Sequence, residues 1–218
     1  MAAYENAPLN LTQRTALLRG IYAIVNDAPA ALNVARGALQ AGISIVQYRA
    51  KAGIKRETLI ALRAETARAG ALLIVNDDWR AAIEFDCDGV HLGPEDGGLR
   101  GAAAIRAAMG ERLLGLSCGT LAEAEAAVRT GADYIGVGSV YATASKGDAG
   151  EPIGIEGLRR VAAATPLPVA AIGGIDRSRM VAVAASGVAM AAVISAIAEC
   201  GDPFTAAAEL VRLWSATR

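Results

Sequence analysis

The chain of 218 residues is 54% hydrophobic and 20% charged with a formal net charge of −1, which fits one soluble globular domain over residues 1–218 with a large core. Only 4% of residues are aromatic and no basic stripe accompanies them, so the composition argues against nucleic-acid binding. The 21 basic residues include only three lysines, Lys51, Lys55 and Lys146, which singles those positions out.

Residues 1–20 contain Glu5, Asn6 and Pro8 and no continuous apolar core, so no signal peptide is expected at the start. An opening helix near Leu9–Arg19 leads to a first strand, Ile21–Val25, closed by Asn26-Asp27. A helix over 30–41 precedes the second strand. There Ile43, Ile45 and Val46 fit burial on both faces, and Gln47, Arg49 and Lys51 follow at every second position, a spacing that places them on one face of an extended chain. Guanidinium, ammonium and amide donors together suit a multiply charged oxyanion such as diphosphate. After a helix over 56–69 comes the third strand, Ala71–Val75, ending in Asn76-Asp77-Asp78.

A helix over 79–84 leads to a short fourth strand, Gly89–Leu92, followed by Gly93-Pro-Glu-Asp96. Residues 99–109 are predicted helical. The fifth strand, Arg112–Leu116, ends in Ser117-Cys-Gly-Thr120, and an Ala/Glu-rich helix covers 121–130. The sixth strand, Tyr134–Val137, has a long loop through Thr143, Ser145, Lys146 and Asp148. A helix over 155–164 then precedes the seventh strand, Val169–Ile172, which ends in Gly173-Gly174. Met180–Ala198 is uncharged and long enough to span a bilayer. It is alanine-rich and broken by Ser186, Gly187 and Ser195, and reads as helix, glycine turn and an eighth strand over Val188–Ile194. No membrane association is expected.

Eight apolar strands alternating with helices predict an α/β fold with parallel pairing, and the length fits a closed (β/α)8 TIM barrel with a short N-terminal helical extension. A doubly wound open sheet is the other candidate, but no G-x-G-x-x-G follows the first strand. The polar residues gather at or after strand ends, positions that converge on one mouth in a barrel.

The single histidine, His91, lies inside an apolar strand and reads as a satisfied core residue. One histidine cannot build a multi-histidine zinc site. Cys87, Cys118 and Cys200 are odd in number and lack ligand spacing; they read as unpaired, small buried hydrophobes in a reducing, cytoplasmic setting. The remaining chemistry is that of oxyanions, carboxylates and a hard cation. Asp77 and Asp96 follow neighbouring strands and are the candidate Mg²⁺ ligands, since magnesium needs only one or two carboxylates when substrate oxygens and waters complete its shell. Asn-Asp-Asp before a helix is equally good N-cap chemistry. Gly173-Gly174 and Ile194-Ser195 fall where barrels commonly hold a monophosphate.

Gln47-Tyr-Arg-Ala-Lys51, Asn76-Asp77, His91-Leu-Gly93 with Asp96, Thr143-Ala-Ser-Lys146 with Asp148-Ala149, Ala171-Ile-Gly-Gly-Ile175 and Val193-Ile-Ser-Ala196, in that order, resemble the thiamine phosphate synthase family over nearly the whole chain. The resemblance implies a TIM-barrel transferase that joins hydroxymethylpyrimidine diphosphate to hydroxyethylthiazole phosphate with loss of diphosphate. It implies that Gln47, Tyr48, Arg49, Ala50, Lys51, Asn76, Ser117 and Lys146 hold the pyrimidine diphosphate. Of these, Arg49, Lys51, Ser117 and Lys146 would be catalytic. Thr143, Ala144, Ser145, Gly174, Ile194 and Ser195 would hold the thiazole phosphate, and Asp77 and Asp96 the Mg²⁺. Three positions depart from the family pattern: Pro94 stands for the usual Gln, Gly119 for a common His and Ala142 for the usual Pro. A thiazole tautomerase-like isomerase and a non-catalytic thiazole-phosphate-binding barrel remain as alternatives. The partners expected are small molecules, with a homo-oligomer left open.

Overall fold

The computed structural model describes residues 9–93, 98–143 and 151–218. Its eight strands are β1 (Gly20–Asn26), β2 (Ile45–Arg49), β3 (Leu72–Asn76), β4 (Gly89–Leu92), β5 (Leu113–Cys118), β6 (Tyr134–Val137), β7 (Val169–Ile172) and β8 (Met190–Val193). All pair in parallel, each with its sequence neighbour. The barrel closes through β1 and β8, with Gly20 opposite Met190 and Ala23 opposite Val193. The predicted TIM barrel is therefore the observed one.

Closure buries both faces of every strand, which is why the strands read as continuous apolar runs. Ile45, Leu72, Ile74, Leu113, Met190 and Ala192 point inward with Tyr22 and Tyr134 and fill the lumen. The residues between them, such as Val46, Leu73, Val90, Leu114, Ile135 and Ala191, pack outward under the helices. Those helices include α2 (Ala31–Gln40), α3 (Arg56–Ala69), α4 (Trp79–Glu84), α5 (Gly98–Met109), α6 (Leu121–Arg129) and α7 (Gly154–Ala164).

The stretch read as helix, glycine turn and strand is α8 (Met180–Ala184), then β8, then a single extra turn, α9 (Ser195–Ala198). No helix among the described residues is long and apolar enough to cross a membrane. A last helix, α10 (Pro203–Ser215), was not anticipated. Asp202 caps it by accepting from the Phe204 and Thr205 N–H groups, Pro203 opens it, and it packs on α2, α8, α9 and β1 to complete the outer ring.

The N-terminal end of the barrel is plugged. A capping box between Asn10 and Gln13 starts α1 (Leu11–Ala16), shorter than the predicted 9–19 because Leu17 and Leu18 turn to pack against the lumen with Leu9 and Leu11. From α1, Arg14 reaches Asp88 (Nε to Oδ1, 3.1 Å) and the Glu111 carbonyl (3.1 Å), while the other Asp88 oxygen accepts from the Leu73 N–H at 3.0 Å. Arg14 and Asp88 are 5% and 2% exposed, and without Arg14 the buried carboxylate keeps as its cation only Arg63, at a looser 3.8 Å. Arg14→Ala is expected to lower the unfolding free energy by about 3 kcal/mol or more, read by urea denaturation. Arg36→Ala, which breaks an exposed pair with Glu65, should cost about 1 kcal/mol or less. Equal costs for the two variants would show that the plug is not what holds this end closed.

Candidate active site

The opposite, C-terminal end of the barrel holds a cavity of about 300 Å³. Two chemically different walls line it. On β2, β3, β4 and β5 the inward face turns polar, presenting Gln47, Arg49, Asn76, His91 and Ser117. Across the lumen, β6 to β8 and their loops present small groups: Gly136, Gly138, Ser139, Gly173, Gly174 and Ser195, with Thr143 at the edge. Gly173 and Gly174 have φ of 105° and 61°, and a Cβ on them would meet Ser139 Oγ and the Ala142 carbonyl oxygen, so this wall brings bare backbone to the cavity.

Eight predicted substrate residues line the cavity: Gln47, Arg49, Asn76, Ser117, Thr143, Gly174, Ile194 and Ser195. Arg49 is half-buried, its Nη1 3.3 Å from Asn26 Oδ1. Among the described residues it meets no carboxylate that would hold it away from an anion. Other predictions fall elsewhere. Tyr48 alternates with Gln47 and points outward into the core under the helices, where its hydroxyl donates to Asp27 Oδ1 at 2.9 Å; its side chain does not face the cavity. Ala50 packs at the edge of that same outer core. The strand ends at Arg49, so Lys51 sits exposed in the following turn and does not extend the Gln47–Arg49 face. Asp96, Ala144, Ser145 and Lys146 lie outside the described residues, as do Pro94 and Asp148.

Asp77 directly follows Asn76, whose amide donates to one of its oxygens; the other lies 3.4 Å from the Gly93 N–H. It is not the helix cap. That role belongs to Asp78, which accepts from the Ala81 N–H at 2.9 Å. Asp77 has φ of 66°, a left-handed conformation that Asp and Asn tolerate better than most residues. As a carboxylate beside the polar wall it is a hard oxygen donor, but the described residues contain no cluster of three metal-ligating side chains. A cation here would need further oxygen donors from outside the described residues.

Sequence reading missed several contributors to the cavity. His91 is a cavity residue, hydrogen-bonded through Nε2 to Ser117 Oγ (3.1 Å) and through Nδ1 to the Tyr134 hydroxyl (3.2 Å). Tyr22 lies beneath it. Glu123 accepts from the Gly119 and Thr120 N–H groups at 2.7 and 2.9 Å, and the Thr-x-x-Glu capping box of Thr120 and Glu123 was a visible signal for it. Cys118 lines the site too, but burial pushes its thiol up to about 12, so it stays protonated and is no nucleophile at neutral pH. Cys87 and Cys118 are buried as expected, whereas Cys200 is exposed.

Sequence comparison decides the family. The thiamine monophosphate synthase family matches residues 21–197, which reach from β1 through β8. The chain belongs to the thiamine monophosphate synthase family. Within it, a thiamine-phosphate synthase from Moorella thermoacetica is 44% identical over 182 residues, covering 82% of this chain and 86% of that one. The corresponding protein of Archaeoglobus fulgidus is 45% identical over 183 residues, covering 83% and 85%. A solved family structure, thiamine phosphate pyrophosphorylase from Pyrococcus furiosus, superposes with a TM-score of 0.83 at 33% identity, covering 94% of this chain and 98% of that one.

Glycines inside the polar wall are themselves structural. A Cβ on Gly115 would stand 2.2 Å from the Tyr134 ring and 2.6 Å from His91 Nδ1. Gly115→Ala should therefore cost about 1–3 kcal/mol of stability through overpacking. Gly119→Ala, whose methyl would meet only Glu123 Oε2 at 3.5 Å, should stay within about 0.5 kcal/mol of the parent. Thermal and urea unfolding of the two variants checks the contrast; a silent Gly115→Ala would mean that the rings beside it have room to spare.

Proposed function

We propose that this chain is a thiamine phosphate synthase, a transferase that joins 4-amino-5-hydroxymethyl-2-methylpyrimidine diphosphate to hydroxyethylthiazole phosphate and releases diphosphate. The observation that carries the reading is that one cavity, in a chain of this family, holds a cationic, hydrogen-bonding wall facing a wall of bare backbone. One wall suits a diphosphate and a heteroaromatic amide-like edge. The other suits a monophosphate approached by backbone groups.

The chemistry required of the protein is electrostatic. As the C–O bond between the pyrimidine methylene and diphosphate breaks, both electrons leave with the diphosphate. Arg49 then stands where that growing charge can be stabilised, with Ser117 able to hydrogen-bond beside it. Lys51 and Lys146 are proposed to reach the same anion from the turn after β2 and from the loop after β6. The methylene cation is captured by the thiazole nitrogen, which forms the C–N bond; the glycine wall holds the thiazole by its phosphate. No protein nucleophile takes part. Gln47 and Asn76 orient the pyrimidine, and the lumen below excludes water that would trap the cation.

A Mg²⁺ ion held by Asp77 and Asp96 is part of the proposal, and when bound it would neutralise diphosphate charge. Asp77 fits by chemistry and by freedom from capping duty. The isomerase alternative is less well supported, since that branch resembles the synthase while using a His near position 119. Gly119 brings no side chain to the cavity there.

The control built into the fold is the Asp77-Asp78 pair. Asp78→Asn should leave turnover and melting temperature unchanged, because Asn caps as well as Asp. Asp77→Asn keeps the left-handed backbone and removes only the charge, so turnover of the two substrates should fall about tenfold or more, worth about 1.4 kcal/mol in the transition state. Excess Mg²⁺ should restore part of it. Full activity in chelator, or equal effects of the two substitutions, would refute the metal site.

A further inference from the structure

At the floor and polar wall of the cavity a line of side-chain hydrogen bonds crosses the lumen through five strands. Gln47 Nε2 on β2 donates to the Tyr22 hydroxyl on β1 at 2.8 Å. The Tyr22 and Tyr134 hydroxyls lie 2.9 Å apart, Tyr134 reaches His91 Nδ1 at 3.2 Å, and His91 Nε2 reaches Ser117 Oγ at 3.1 Å. The line is shielded, Gln47 being 3% exposed, Tyr22 1% and Tyr134 0%. Space for it is made by two missing side chains. A Cβ on Gly115 would strike both Tyr134 and His91, and one on Gly136 would stand 3.0 Å from the imidazole. The rings are also packed on one another, Tyr22 edge-on to Tyr134 and His91 tilted against it.

The direction of the line follows from counting protons. Burial pushes both phenols well above their usual range, so each carries its proton. With the Gln47 amide donating to Tyr22, the Tyr22 proton goes to Tyr134 and the Tyr134 proton to His91 Nδ1. The imidazole is then neutral with its proton on Nε2, given to Ser117. Ser117 Oγ accepts that bond, which leaves its own proton to be donated into the cavity. The opposite direction needs Gln47 turned over so that its carbonyl accepts from Tyr22. It would put the imidazole proton on Nδ1, make Ser117 donate to His91, and show only oxygen lone pairs to an anion.

We propose that Tyr22, Tyr134 and His91 are positioning residues that fix the His91 tautomer and thereby hold Ser117 as a hydrogen-bond donor to an acceptor atom of the pyrimidine diphosphate. The substrate named here rests on the function proposed above; the tautomer does not. No proton is transferred along the line. It acts by orientation, giving a neutral hydroxyl the polarity that an anionic ligand requires.

The test uses the full chain and the fact that it has one histidine, so that a single imidazole appears in ¹⁵N-labelled protein. NMR of the free protein is expected to show the neutral ring protonated at Nε2. A ring protonated at Nδ1, or an even mixture of the two forms, would overturn the proposal. Tyr134→Phe keeps the ring and removes both bonds; it should abolish the tautomer preference and lower kcat about tenfold, with KM for the thiazole phosphate within about twofold of the parent. Because Tyr134 acts through Ser117, adding Tyr134→Phe to Ser117→Ala should cost little beyond Ser117→Ala alone. Losses that multiply in full would show that Tyr134 acts independently and would also overturn it. A parent chain inactive with both substrates would contradict the assigned reaction, whereas the tautomer is read without turnover.

Discussion

Closure of the barrel is the constraint on which everything else depends. When eight short strands close in sequence order, each side chain faces either the lumen or the helices, and neither place tolerates an unsatisfied polar group. Polar side chains are therefore admitted at the inward positions near the strand ends, where Arg49, Asn76 and Ser117 meet the cavity, or inside the lumen where they satisfy one another, as Gln47, Tyr22, Tyr134 and His91 do. The same rule makes the two ends unlike. At one end Leu17, Leu18 and the buried Arg14–Asp88 pair seal the lumen; at the other the seal is left off and the cavity opens.

The division of the cavity into two walls follows from residue size. Strands β2 to β5 carry long polar side chains at the rim, while β6 to β8 carry glycine, alanine and serine, so one side projects functional groups and the other exposes backbone. A reaction in which one substrate loses diphosphate and the other attacks needs that asymmetry. The departing anion must be gripped by charge, and the second substrate must be held close without being repelled. The particular side chains on these strands, and not the barrel, carry the functional argument.

Much of the fold was legible because apolar runs and turn residues mark parallel strands well. The bounds of β4, β6 and β7 agree with the sequence reading residue for residue. Helix α10 was legible and unread, since Asp202-Pro203 is a good helix start. The site was legible where strand-end polar residues point inward, as with Gln47 and Arg49. It was less direct where a contiguous motif hides the alternation of the strand, so that the Tyr48 side chain points outward, and where the strand stops short, so that Lys51 sits in the following turn. Nothing local could have shown the lumenal hydrogen bonds, which join residues as far apart as Tyr22 and Tyr134 and are created only when β1 and β6 face each other across a closed barrel. His91 looked like a core residue because its neighbours are apolar; its partners come from two other strands.

The measurement that bears most directly on this account is product stoichiometry in a substrate-omission series. With pyrimidine diphosphate, thiazole phosphate and Mg²⁺ all present, the purified chain should form thiamine phosphate and diphosphate in equal amounts, and with either organic substrate left out it should form neither. Diphosphate released without thiamine phosphate, or no turnover with both substrates present, would contradict the assignment of the two walls to two substrates of one reaction.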